Sequence, residues 1–233
     1  MISIAVISKF LAGKAIVAVM LGNSVGMGYY STDYEVIPAL SDTSKSFTID
    51  SRTSDLPGGQ ARLLRSFLRN KNESSQLINL SGDGWDTNDQ LGISLPSSSA
   101  PKHRSSVEVI LEMRPKPDVV FIPLQINDAN HKIPLTVFYK NTIKIVDSLQ
   151  AEGIDTVLVK ENYTHLDGYS AYIDMVDIIA GEKNVPVIDT YTPSLGKPDL
   201  LFDALHPNDK GHELIFNQYR NWFLSSAAFE PSK

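Results

Sequence analysis

The strongest constraint on this fold is a repeated alternation: a short apolar run, a polar turn, then residues at helical spacing. The apolar runs are the one opening Ala15–Tyr30, then Gln76–Leu80, Asp118–Leu124, Asp155–Lys160 and Val185–Ile188. Continuous Val- and Ile-rich runs of this length read as strands buried on both faces. Between them, Pro57–Asn70 sets Ala61, Leu64, Phe67 and Leu68 on one helical face, with Pro57 suited to a helix start. Val107–Met113 is a shorter helix, capped by Ser105 or Ser106 and ended by Pro115 and Pro117. Leu135–Glu152 carries Val137, Ile143, Val146 and Leu149 at helical spacing before Gly153. Tyr169–Lys183 does the same with Ile173, Val176, Ile179 and Ala180, and Gly211–Leu224 closes the chain as a helix. This alternation predicts a three-layer α/β/α domain with a five-stranded parallel sheet of flavodoxin-like, doubly wound type.

The 233 residues suffice for one domain with a full core, and no internal repeat divides them. Met1–Gly13 lacks the basic start and cleavage site of a signal peptide. Ile4, Ile7, Phe10 and Leu11 instead predict a short lead-in helix. No run reaches the ~18–20 apolar residues of a membrane span. A net charge of −6 without a basic block argues against nucleic acid or an anionic membrane as partner. Cysteine is absent, which excludes disulfides, thiolate metal sites and a cysteine nucleophile. The sequence leaves compartment and oligomeric state open. An exported protein and a domain of a longer chain both fit.

Chemistry-bearing residues gather where strands end. Ser24 follows the first strand between Gly22, Gly26 and Gly28, so its hydroxyl is either a nucleophile on a tight turn or a helix cap. Asp83, Gly84 and Trp85 follow the second strand, and Gln125, Asn127 and Asp128 the third. In a parallel α/β sheet these ends share one edge, where ligands bind. Near the C-terminus, Asp203 stands three residues before His206. That spacing lets the carboxylate orient the imidazole, and the imidazole can take a serine proton. Gly22-x-Ser24-x-Gly26 also matches the nucleophile elbow of α/β-hydrolases, but those enzymes place several strands before it. His206 and His212 lack a third metal ligand at supporting spacing, so no metal is expected. His103, His131 and His165 read as surface residues, and Asp128 as a turn former rather than a second acid.

These blocks together resemble the SGNH, or GDSL-type, hydrolases. Gly22-Asn-Ser24 resembles the first block, with Asn23 where aspartate is usual; Asn79-Leu-Ser-Gly-Asp-Gly84 resembles the second. Gln125-Ile-Asn127-Asp128 is similar to the third, Gly-x-Asn-Asp, with Gln125 in place of glycine. Asp203-Ala-Leu-His206 matches the fifth, Asp-x-x-His. The resemblance spans Lys14 to Phe223. It implies an SGNH-type fold and a serine esterase without cofactor. Ser24 would be the nucleophile, His206 the base and then acid, and Asp203 its orienter. Ser24, Gly84 and Asn127 would form the oxyanion hole. Asp83, Trp85 and Gln125 are expected near substrate, with Trp85 stacking on a sugar or packing, and Gln125 narrowing the pocket or donating.

For substrate, the polar Ser31–Ser54 and Gly92–Ser106 loops favour a small acyl ester, above all O-acetyl on a carbohydrate, over a lipid. A lysophospholipase or thioesterase on the same scaffold is the alternative, and an inactive carbohydrate-binding module is a third reading.

Overall fold

The structure, a computed structural model, describes residues 5–34, 58–93 and 105–225. Helix α1 (Ala5–Leu11) leads into strand β1 (Val17–Met20), which a short helix α2 (Ser24–Met27) follows at once. Then come α3 (Gly59–Lys71), β2 (Gln76–Asn79), α4 (Thr87–Gln90), α5 (Ser106–Glu112) and β3 (Val119–Ile122). The chain continues through α6 (Ile126–Asn130), α7 (Leu135–Gln150), β4 (Asp155–Lys160), α8 (Tyr169–Lys183), β5 (Val187–Asp189) and α9 (Asp209–Leu224). All five strands are parallel, in the order β2-β1-β3-β4-β5. This is the expected doubly wound sheet.

Strand residues alternate between two cores, which is why the runs are apolar throughout. Along β3, Val119 and Phe121 face a layer built from α1, α3 and α9, including Phe10, Leu64, Leu68, Tyr219 and Phe223. Val120 and Ile122 face the other layer, from α5, α7 and α8, including Ile110, Phe138, Ile145, Val176 and Ile179. Each fully buried Leu or Phe contributes about 1.5–3 kcal/mol relative to exposure, so both layers are needed to cover the sheet.

The helices fall close to their predicted positions, with local differences. In α1 it is Val6, Ile7 and Phe10 that are buried, while Leu11 turns outward. Ser105 is the cap of α5, accepting the Glu108 N–H. Asn208 caps α9 two residues earlier than expected, accepting the Gly211 N–H at 3.2 Å. Two short helices, α4 and α6, were not expected. Asp86 and Asp89 nucleate α4 through a reciprocal capping box. Pro57, His103, Ile4, most of Ser31–Ser54 and the centre of Gly92–Ser106 lie outside the described residues. Among the described residues, no helix is long and apolar enough to cross a membrane.

Candidate active site

The sheet order makes β1 and β3 neighbours while β2 lies outside β1, so the chain reverses direction between β1 and β3. A crevice opens at such a switch point, beyond the carboxyl ends of the strands. Ser24 leaves β1 there, Gly84 follows β2 and Asn127 follows β3.

The turn that carries Ser24 is packed too tightly for side chains. A Cβ at Gly26 would lie 2.3 Å from the Ser81 hydroxyl, and one at Gly22 2.5 Å from it. Asn23, not Ser24, caps α2: its Oδ1 accepts the Val25 N–H at 2.9 Å. The serine hydroxyl is thereby left for other work. Three buried amides hold the carbonyls of this turn: Gln90 donates to Gly22 O at 2.9 Å, Gln60 to Val25 O at 2.5 Å and Asn79 to Gly26 O at 2.8 Å. His212, itself buried, bonds Gln60 Oε1 and reaches Tyr29 O at 2.9 Å, so it packs under this turn rather than binding a ligand.

Ser24 Oγ lies 2.9 Å from His206 Nε2, and His206 Nδ1 lies 2.8 Å from Asp203 Oδ2. An ionised carboxylate only accepts, so Nδ1 carries the proton and Nε2 is free to accept from the serine. Asp203 Oδ1 also accepts the Leu205 and His206 N–H groups, both at 2.7 Å. Burial pushes the Asp203 carboxyl up, but these N–H groups and the imidazole outweigh it and hold it below its ordinary range. The loop is closed by Phe202 N–H to His206 O at 2.8 Å and by a bridge between Leu201 and Pro207.

The expected oxyanion donors differ in what occupies them. Gly82 N–H bonds Gly22 O at 3.2 Å. Among the described residues, the Ser24 and Gly84 N–H groups have no partner. Gly84 takes φ +69° in open space. Asn127 donates one amide hydrogen to Trp85 O at 2.9 Å and keeps a second. Trp85 packs over Gly82, where a Cβ would fall 2.1 Å from the indole. Asp83 is exposed and faces the Tyr29 phenol; burial, then the Tyr34 and Asp83 contacts, raise that phenol well above its usual range.

Gln125 sits differently from the expectation. It is buried, and its Oε1 accepts the Glu161 N–H at 2.8 Å, so its side chain faces into the protein and not toward a substrate. Asp128 forms no local turn: its carboxyl accepts Thr87 N–H at 3.0 Å and Thr87 Oγ1–H at 2.6 Å, tying α6 to α4. Burial is the main cause that pushes this carboxyl up to about 8. His131 pairs with Asp86 at 3.1 Å, and His165 with the Tyr163 hydroxyl at 3.1 Å. Sequence reading missed Gln60, Gln90 and Glu161, isolated polar residues whose partners lie far along the chain. It also missed an aromatic rim. Tyr30 and Phe202 are exposed (45% and 62%) and stack at 4.2 Å, with Tyr30 5.1 Å from the His206 ring.

The sequence model of the GDSL-like Lipase/Acylhydrolase family matches residues 20–214, which covers all of these groups. The chain belongs to that family. Solved structures of similar fold include Axe2, an acetylxylan esterase from Geobacillus stearothermophilus (16% identity, 94% of this chain and 97% of that one, TM-score 0.64). A lipase/acylhydrolase from Enterococcus faecalis is 19% identical over 89% of this chain and 95% of its own, with a TM-score of 0.62. The psychrotrophic esterase EstA from Pseudoalteromonas sp. is 20% identical over 88% and 94%, with a TM-score of 0.59. No curated protein sequence matches the chain. The protein is a carboxylic ester hydrolase of the GDSL type.

Proposed function

We propose that this enzyme removes small acyl groups, above all O-acetyl groups of a carbohydrate, by a Ser24–His206–Asp203 mechanism. The observation that carries the mechanism is the continuous line from Ser24 Oγ through His206 to Asp203, at 2.9 and 2.8 Å. Ser24 Oγ attacks the acyl carbonyl while His206 Nε2 takes its proton. The Ser24 and Gly84 N–H groups and the remaining Asn127 amide hydrogen hold the oxyanion. Each such donor is worth roughly 10²–10³-fold in rate. His206 then protonates the departing sugar oxygen, and water repeats the sequence on the acyl-enzyme.

The substrate reading is supported by the exposed Tyr30–Phe202 stack beside His206, since an aromatic face suits the apolar face of a sugar ring. The fold shared with an acetylxylan esterase agrees with it. Acetylated xylo-oligosaccharide and p-nitrophenyl acetate, butyrate and octanoate test it side by side, with wild type and Phe202→Ala. The expected order falls with acyl length, and Phe202→Ala lowers kcat/KM on the acetylated oligosaccharide about 10-fold more than on p-nitrophenyl acetate. Faster turnover of octanoate than acetate sinks the carbohydrate reading and favours a lysophospholipase or thioesterase.

A further inference from the structure

Glu161 follows β4 directly and is 2% exposed, yet it is absent from every block that carries the family resemblance. Its Oε1 accepts from Asn23 Nδ2 at 2.8 Å. Its Oε2 accepts from the Gln125 N–H at 2.7 Å and the Ile126 N–H at 2.8 Å. Gln125 Oε1 accepts the Glu161 N–H in return. One carboxylate therefore touches both the turn that presents Ser24 and the turn that presents Asn127. We propose that Glu161 is the positioning residue of this site, and that Asn23 and Gln125 are the partners its carboxylate and backbone require. This rests on Ser24 and Asn127 acting as proposed above.

Within this set the Asn23 amide and the Gln125, Ile126 and Glu161 N–H groups each meet an acceptor. Asn23 uses its oxygen to cap α2 and its amide nitrogen to meet Glu161. An aspartate in place of Asn23 would cap equally well but would set one carboxylate against another. A glycine in place of Gln125 would leave the buried Glu161 N–H without its acceptor, which is unfavourable. The two departures from the usual blocks and the buried glutamate thus form one matched set.

The set can be inverted. In Glu161→Gln the amide oxygen keeps the Gln125 and Ile126 N–H groups, and its NH₂ then opposes the Asn23 NH₂. Rotating Asn23 does not help, because the α2 cap is lost. In Asn23→Asp two carboxylates face each other. In Asn23→Asp combined with Glu161→Gln every group is paired again: the introduced glutamine amide donates to the introduced aspartate, which still accepts the Val25 N–H.

The test is the four-protein cycle on p-nitrophenyl acetate, with kcat, KM and Tm for each, and with Ser24→Ala as a control. Each single change is expected to lower kcat about 10- to 100-fold with KM within about 3-fold, and the double change to restore kcat to within about 3-fold of wild type. Singles that keep wild-type kcat, or a double no better than the singles, overturn the proposal. Where a single variant does not fold, the double decides: folded and active supports the matched set, and unfolded or inactive refutes it. Ser24→Ala as active as wild type, or an inactive wild type, defeats the catalytic reading instead. The Tm cycle then still shows whether the three side chains are a matched set.

Discussion

The serine and the histidine reach the same crevice by opposite means. The Ser24 turn is buried, and its carbonyls and cap are held by side chains from far along the chain: Gln60, Asn79, Gln90 and Glu161. The histidine loop is more open, and Asp203 organises it through bonds to Leu205 and His206 within its own few residues. A nucleophile must sit at a fixed place against the oxyanion donors, and a turn clamped on many sides does that. A base need only meet the serine proton, and a self-contained loop suffices. Damage to the first region should therefore appear as lost stability together with activity, and damage to the second as lost activity alone.

The largest contrast pairs His206→Ala with Gln60→Leu. His206→Ala is expected to lower kcat by about 10⁴-fold or more with Tm nearly unchanged. Gln60→Leu strips Val25 O and His212 of a partner in a buried site and costs about 1–3 kcal/mol of stability. Thermal unfolding and kcat measured on both variants check this. A large Tm loss in His206→Ala would erase the distinction.

A second contrast concerns pH. Burial raises Asp128 from 3.8 to about 8, so the folded state holds its proton more tightly than the unfolded chain. The stability present below the unfolded value is lost as pH rises through the folded one. Relative to wild type, the Tm of Asp128→Asn should therefore climb between about pH 4 and 8. A constant difference across that window contradicts the assignment. Glu161, raised to about 7 chiefly by burial, acts in the same direction in both proteins, and its charge is one of the lesser causes that raise Asp128.

The same contrast decides what was legible in advance. The parallel sheet and its two covering layers were readable because β1, β3 and β4 are apolar on both faces, which only a covered parallel sheet explains. Asp203 and His206 were readable because their interaction is local. The supports of Ser24 were not, since a buried amide such as Gln60 has no spacing that betrays a partner 35 residues away. Gln125 was misplaced for the same reason: its fate depends on Glu161, 36 residues on. The Asp86 cap of α4 and the start of α6 were hidden inside stretches already read as turns.

The most direct measurement is wild type against Ser24→Ala on p-nitrophenyl acetate, with a fluorophosphonate probe located by peptide mass spectrometry. The account predicts hydrolysis in the wild type, a label on Ser24 that acid unfolding prevents, and loss of both in Ser24→Ala. Undiminished hydrolysis by Ser24→Ala, or a label on another serine, would contradict it.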